Sequence, residues 1–391
     1  MRDIAAELLE RESQGLRRRR RLLESAQGPL VRVDGAQKLS FSSNDYLGLA
    51  GDPRIIEALC EGARQWGAGA GASHLVTGHQ RIHQELELRL AAFVGMPRTL
   101  LFSSGYLANL AIVTTLATPS CEMFADRLNH ASLNDAMLLS RVRFKRYPHC
   151  DHEALERQLS ESKAPEKIVI TDAVFSMDGD IAPLDRLFEL CERHDAMLVV
   201  DDAHGFGVLG KNGAGSLSRF QLNSPRIVYM GTLGKAAGVS GAFVAAADPV
   251  IELLIQQARP YIYTTASPPA LAFALIRSLE LMAQESWRRE RLVQLSRQLA
   301  ASLNASRWRL LPSTTPIQPL IVGKNLEAVA LSDTLAVSGI LVPAIRPPTV
   351  PEGTARLRIS LSAAHSNQDV QRLIEVLHAA ESAIANEASP Q

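Results

Sequence analysis

Lys235 is the residue least easily explained as a surface charge. It follows the apolar run Ile227–Met230 and the small residues around Gly231, and Ala236-Ala237-Gly238 comes directly after it. Burial disfavours the ammonium form, so a lysine held there tends toward a lowered pKa. A neutral amine attacks carbonyl carbon and forms a Schiff base. Alone, the stretch reads equally well as a solvated loop. The chemical reading is favoured by where other polar residues fall. Three apolar, β-rich runs, Lys167–Asp172, Met197–Asp201 and Arg226–Met230, each deliver polar groups at their carboxyl ends. These are Ser176 after the first, Asp201 and His204 at the second, and Thr232 and Lys235 after the third.

Such continuous apolar runs, without alternation, are expected of strands buried on both faces. A helix predicted from Leu184 to His194 separates the first two, giving a β-α-β unit and a largely parallel sheet. A fourth strand is predicted at Gly241–Ala245. Ligands of such sheets sit beyond the carboxyl ends of the strands. The run Leu100–Phe102 breaks at Ser103-Ser104-Gly105-Tyr106, and an apolar helix is predicted from about Leu107 to Leu116. A helix start of this kind offers free N–H groups and the positive end of the dipole to a phosphate. His130 stands alone in the polar turn Ala125–Ser132.

An amine, a carboxylate on a neighbouring strand, a phosphate-suited helix start and a flat ring together suggest pyridoxal 5'-phosphate. Lys235 would hold the cofactor, and Asp201 would keep a proton on the pyridine nitrogen and so make the ring an electron sink. His130 would stack on the ring. Gly105, Tyr106 and Thr232 would take the phosphate, and Ser176 and His204 the phenolic oxygen. Asp202 reads as structural, because neighbouring strand residues point to opposite faces.

Around this centre the 391 residues divide into an N-terminal helical segment (1–38), a large cofactor domain (39–265) and a smaller C-terminal α+β domain (266–391). A helix is predicted over residues 1–25, with Ile4, Leu8, Leu9 and Leu16 on one side. The arginine run from Arg17 to Arg21 reads first as a solvated face. Pro53 opens a helix to about Trp66, and Gly67–Ser73 is a loop of small residues that lets a backbone approach a ligand. His79 and His83 share a helix face but lack the H-E-x-x-H pattern, so they read as structural rather than as metal ligands. Strands are predicted at Gln318–Val322, Gly339–Arg346 and Ala355–Ser360, the last with Arg356, Arg358 and Ser360 on one face. Pro347–Pro351 is a stiff loop.

Lysine plus arginine equals aspartate plus glutamate, 41 each, so no overall field favours nucleic acid or an anionic membrane. The uncharged stretch Thr99–Cys121 contains Ser103-Ser104-Gly105 and Pro119, and reads as a turn and buried helix rather than a membrane span. Four separated cysteines without C-x-x-C fit reduced thiols and a cytoplasmic setting.

Six motifs, in order along nearly the whole chain, resemble the α-oxoamine synthases. They are Phe41–Leu49, Phe102–Tyr106, Asp126–Leu133, Val174–Asp180, Val199–Gly207 and Gly231–Ala236. Leu233 stands where that family usually has phenylalanine. The resemblance implies a fold-type I pyridoxal-phosphate enzyme that condenses an amino acid with an acyl thioester and releases carbon dioxide. The stretches Ala344–Pro351 and Gly353–Arg358 are most similar to members that take L-alanine and a pimeloyl thioester, carried on acyl carrier protein or CoA. By the same resemblance, Lys235 would also carry the substrate α-proton. Asn44 and Arg358 would bind the amino acid carboxylate. Thr349 and either Arg17 or Arg18 would meet the acyl substrate. The implied assembly is a homodimer, with Thr264 or Thr265 reaching the neighbouring subunit's phosphate.

Other readings remain open at this level. Glycine with acetyl-CoA differs from alanine by little more than a methyl group, worth only about 1–3 kcal/mol of discrimination. A transaminase or lyase would share Lys235 and Asp201 but gives no reason for the Pro347–Pro351 loop. A non-catalytic ligand sensor gives no reason for Lys235, Asp201 and His130 together.

Overall fold

The computed structural model describes residues 2–303 and 306–387, so the extreme ends of the expected 1–38 and 266–391 segments lie outside the described residues. The chain forms two compact units that are discontinuous in sequence. Leu49–Phe175 joins Ile181–Ser286 in one, and Met1–Gly48 joins Ser176–Asp180 and Trp287–Gln391 in the other. The linear division at residues 38 and 265 is therefore not the one observed. The helix Pro269–Gln284 belongs to the first unit, where Phe273 and Ala270 pack against Gly62 of the helix Pro53–Trp66.

The first unit is built on a seven-stranded sheet. Its order is Arg98–Phe102, Ala242–Ala246, Ile227–Thr232, Ala196–Asp201, Glu166–Asp172, Cys121–Asp126 and Arg143–Tyr147. The last five run parallel, and Ala242–Ala246 is antiparallel to both its neighbours. The reason is local. The 233–241 connection is too short for the dozen or more residues of a parallel crossover, so the chain turns back as a hairpin. Every residue of Cys121–Asp126, Ile227–Thr232 and Ala242–Ala246 is buried, as the lack of alternation predicts.

Two strands escape a sequence reading. Cys121–Asp126 hides behind Glu122 and Asp126, which are buried with partners: Lys145 lies 3.5 Å from Glu122, and Asp126 accepts from the Leu128 N–H at 2.8 Å. Arg143–Tyr147 is an edge strand rich in basic residues, a composition that discourages edge-to-edge pairing. Between Arg98–Phe102 and Cys121–Asp126 lies the helix Gly105–Leu116, buried at Ala108, Ala111, Ile112, Val113 and Leu116. The uncharged stretch is thus a strand, a turn and a core helix. Among the described residues no helix is long and apolar enough to cross a membrane.

In the second unit Leu30–Val33 and Ala36–Ser40 form a hairpin, joined in parallel by Ile340–Leu341. A four-stranded sheet runs Arg309–Leu310, Ile317–Gly323, Ala355–Ser360, Ala344–Ile345. The single strand expected at Gly339–Arg346 is two short ones in different sheets, parted at Pro343, which has no N–H to donate. The expected N-terminal helix also differs. It spans only Ile4–Ser13, and Ile4, Leu8 and Leu9 are exposed. Gly15, at φ +64, turns the chain in a conformation other residues avoid. Beyond this turn the arginine run carries no helix, and Leu23 bridges to Val33.

Candidate active site

The carboxyl ends of the parallel strands open, in the first unit, on a cavity of about 190 Å³. Its lining contains Lys235, Asp201, His204, Thr232, His130, Gly105 and Tyr106, seven of the residues predicted to hold the cofactor. The sequence could assign each to a strand end or a turn; the fold brings them to one wall. Lys235 sits in the hairpin turn between Ile227–Thr232 and Ala242–Ala246. That turn is closed by Leu233 N–H to Gly241 O at 2.8 Å and Gly238 N–H to Lys235 O at 2.9 Å. The lysine is half-buried, and its Nζ lies 3.1 Å from His204 Nε2.

Asp201 is buried and doubly held. The Ala203 N–H donates to its Oδ1 at 2.9 Å, and Asn109 Nδ2 donates to its Oδ2 at 2.7 Å. The Asn109 amide also donates to Ser132 Oγ at 2.8 Å, and that hydroxyl lies 2.7 Å from His130 Nδ1. Ser132 can therefore turn its own proton to Nδ1, which also accepts the Ser132 N–H at 3.3 Å. This places the imidazole proton on Nε2. His130 stands at the open mouth of the cavity. Desolvation is still the main influence on it and holds its pKa below the usual histidine value; Asp201 opposes this and Lys235 adds to it. The ring is then neutral at neutral pH.

Asn109 and Ser132 escaped the sequence reading. Their one signal there is a lone amide in an otherwise apolar helix, one turn after Gly105. Asp172, the lateral neighbour of Asp201, also lines the cavity. Burial, and then the charge of Asp201, pushes its carboxyl well above the usual range. It accepts the His130 N–H at 3.1 Å.

Asp202 points the other way, as strand alternation predicts. It is fully buried, and accepts the Ser216 N–H at 2.7 Å and the Tyr229 hydroxyl at 2.8 Å. The helix start is as expected: Ser104 caps it, accepting from the Leu107 N–H at 3.3 Å. A Cβ on Gly105 would meet Thr232 Cγ2 at 2.7 Å. Only glycine lets this helix end approach the strand end that carries Thr232, whose hydroxyl donates to Ala203 O at 3.1 Å.

Not every expected residue lines this cavity. Thr264 and Thr265 lie in the turn before Pro269–Gln284 and are absent from its lining. The turn is tied to the small-residue loop by Ala266 N–H to Ala72 O at 3.0 Å. His83 is structural: it accepts the Gln80 N–H on Nδ1 at 3.1 Å and so donates from Nε2 to Ser267 O at 2.8 Å.

Ser176, Asn44, Arg358, Arg18 and Thr349 belong to the second unit. Arg358 is buried there, and its hydrogen bonds go to neutral oxygens. These are Ser176 O at 2.5 Å, Ser360 Oγ at 2.9 Å, Asn44 Oδ1 at 3.0 Å and the Tyr46 hydroxyl at 3.2 Å. Arg356 is also buried, but Asp178 neutralises it at 2.8 Å. Arg18 lies 3.4 Å from Thr349 Oγ1, whereas Arg17 pairs with Glu12 at 3.0 Å.

The donor set fits pyridoxal phosphate. A buried carboxylate is oriented by two N–H groups, an amine stands at a strand-end turn, a neutral imidazole stands at the mouth, and a helix start is closed in by Thr232. Comparison with known proteins agrees. The family model described as aminotransferase class I and II matches residues 36–377. Over 366 residues the chain is 62% identical to the 8-amino-7-oxononanoate synthase of Nitrosospira multiformis, covering 94% of this chain and 92% of that one. A serine palmitoyltransferase structure from Sphingomonas wittichii matches with a TM-score of 0.92 at 29% identity, covering 97% of this chain and 96% of that one. An 8-amino-7-oxononanoate synthase structure from Francisella tularensis matches with a TM-score of 0.77 at 31% identity, covering 90% and 99%. The fold is the fold-type I aminotransferase fold, and the cofactor is pyridoxal 5'-phosphate. The chain belongs to the 8-amino-7-oxononanoate synthases of the class I and II aminotransferase family.

Proposed function

We propose that the chain condenses L-alanine with a pimeloyl thioester, on acyl carrier protein or CoA, giving 8-amino-7-oxononanoate, carbon dioxide and the free thiol. The observation that carries this reading is the near full-length likeness to 8-amino-7-oxononanoate synthases. The bound cofactor would supply an electron-withdrawing ring that weakens the bonds to the amino acid Cα. The chain's own residues would do the rest. Lys235 would hold the cofactor and then move the Cα proton, and His204, 3.1 Å away, would orient its amine. Asp201, fixed by Asn109 and the Ala203 N–H, would keep a proton on the ring nitrogen. His130 would be the ring's flat partner, and Gly105, Tyr106 and Thr232 its phosphate partners.

Arg358 is the proposed carboxylate partner, with Asn44 beside it. A buried guanidinium that, among the described residues, bonds only to neutral oxygens is suited to an incoming anion. Arg18 is preferred over Arg17 for the acyl substrate, because Arg17 is engaged by Glu12 and Arg18 lies at Thr349. Ser176 is retained for the phenolic oxygen. A cytoplasmic homodimer, in which Thr264 or Thr265 completes the neighbour's phosphate site, is part of the same proposal.

The deciding experiment measures thiol release from pimeloyl thioester and from acetyl-CoA, each with L-alanine, glycine and L-serine. Turnover with L-alanine and pimeloyl thioester above all other pairs supports the reading. Preference for glycine with acetyl-CoA makes the chain a 2-amino-3-ketobutyrate:CoA ligase instead.

A further inference from the structure

Three side chains outside the cofactor cavity have the arrangement of a nucleophile, a base and a group that orients the base. Cys150 Sγ lies 3.7 Å from His149 Nε2. The other ring nitrogen, His149 Nδ1, lies 3.1 Å from Asp126 Oδ1 and 3.3 Å from Oδ2. One polar atom from each of the three falls within 4.8 Å of the others. Asp126 is buried at the end of the strand Cys121–Asp126 and also holds the Cys150 N–H at 2.7 Å. The same carboxylate thus fixes both the imidazole and the backbone that carries the thiol. Phe175 meets the His149 ring edge-on, with centroids 4.3 Å apart and planes at 88°.

We infer that Cys150 is an activated thiol and a modification site for small electrophiles, hydrogen peroxide among them. His149 is its base and Asp126 orients that base. A nucleophile within reach of an imidazole, itself held by a third group, is the recurring geometry of side-chain activation. The other cysteines set it apart. Cys121 and Cys191 are buried, and burial pushes their thiols up to about 11 and about 12. Cys60 is exposed on the helix Pro53–Trp66 and, among the described residues, belongs to no comparable cluster. Cys150 is half-buried, so it is reachable.

The reaction balances without further reagents. The Cys150 proton passes to His149 Nε2, and the thiolate attacks one oxygen of hydrogen peroxide. The O–O bond breaks, sulfur is oxidised to the sulfenic acid, and the hydroxide leaves as water with the proton from His149. The gain over an ordinary thiol at neutral pH is about three- to tenfold, because the larger thiolate fraction is partly offset by lower intrinsic nucleophilicity.

The test treats the full chain, cofactor bound, with hydrogen peroxide and dimedone, and quantifies adducts by peptide mass spectrometry. Cys150 is expected to be labelled about three- to tenfold faster than Cys60, and His149→Gln to remove that advantage while leaving Cys60 unchanged. Equal rates at the two cysteines, or no effect of His149→Gln in a variant with native circular dichroism, overturn the assignment. Should that variant not fold, the wild-type iodoacetamide profile decides. Alkylation of Cys150 persisting to lower pH than that of Cys60 supports the inference, and coincident profiles overturn it.

Discussion

Asn109 donates to Asp201 at 2.7 Å and, through the same amide nitrogen, to Ser132 at 2.8 Å. One side chain therefore orients both the carboxylate and, by way of the Ser132 hydroxyl, the His130 ring. Asn109→Leu keeps roughly the same bulk and removes both donors. A buried acceptor left short of a partner costs about 1–3 kcal/mol. The variant is expected to melt at a lower temperature and to bind cofactor more weakly, as read by thermal unfolding and by equilibrium dialysis with pyridoxal phosphate. Unchanged affinity would show that Asp201 does not depend on this bond.

Lys235→Ala tests the amine. Wild-type protein treated with borohydride is expected to carry the cofactor covalently on the peptide containing Lys235. The variant should show no such adduct, and its turnover should fall by about 10²–10⁴-fold, the range associated with a positioned acid–base group. An adduct at another lysine would displace Lys235 from its role.

Asp202 makes a prediction about pH. Burial raises its carboxyl to about 7 in the folded chain, against about 3.9 in an unfolded one. Between these values the folded chain keeps a proton that the unfolded chain has released, so stability declines as pH rises through this window and levels off above it. Asp202→Asn cannot ionise. Its melting temperature relative to wild type should therefore rise from about pH 4 to about pH 7.5, measured by scanning calorimetry at matched ionic strength. A constant difference would mean that Asp202 does not titrate there.

Arg358 and Arg356 should respond differently to replacement by lysine. Arg356 already has Asp178, so Arg356→Lys is expected to act on stability and leave the KM for L-alanine nearly unchanged. Arg358→Lys loses the planar fork suited to a carboxylate and should raise that KM by about 10–100-fold, the scale of a charge-assisted bond pair. Equal effects would remove the distinction drawn from their partners.

The chemistry was legible in the sequence wherever local pattern decides it. Continuous apolar runs marked the buried strands, and polar residues at or just past their ends singled out Asp201, His204, Thr232 and Lys235, which the fold brings to one cavity. Alternation along Ala355–Ser360 put Arg356 and Arg358 on one face, but it could not say that Asp178 neutralises one and only neutral oxygens meet the other. Those partners come from segments far away in sequence. The same limit applies to Asn109, whose amide looked like an anomaly in an apolar helix until the fold placed Asp201 beside it. The N-terminal segment shows the opposite error. Its apolar residues repeat at helical spacing, yet the helix ends at Ser13 and leaves Ile4, Leu8 and Leu9 exposed, because periodicity reports what a helix could bury and not whether a partner surface exists. Residue type and order determined which polar groups stand at the strand ends and turns. Tertiary structure alone decided which of them are paired, oriented or left to meet a ligand, because hydrogen bonds and charges act over a few ångströms of space and are indifferent to distance along the chain.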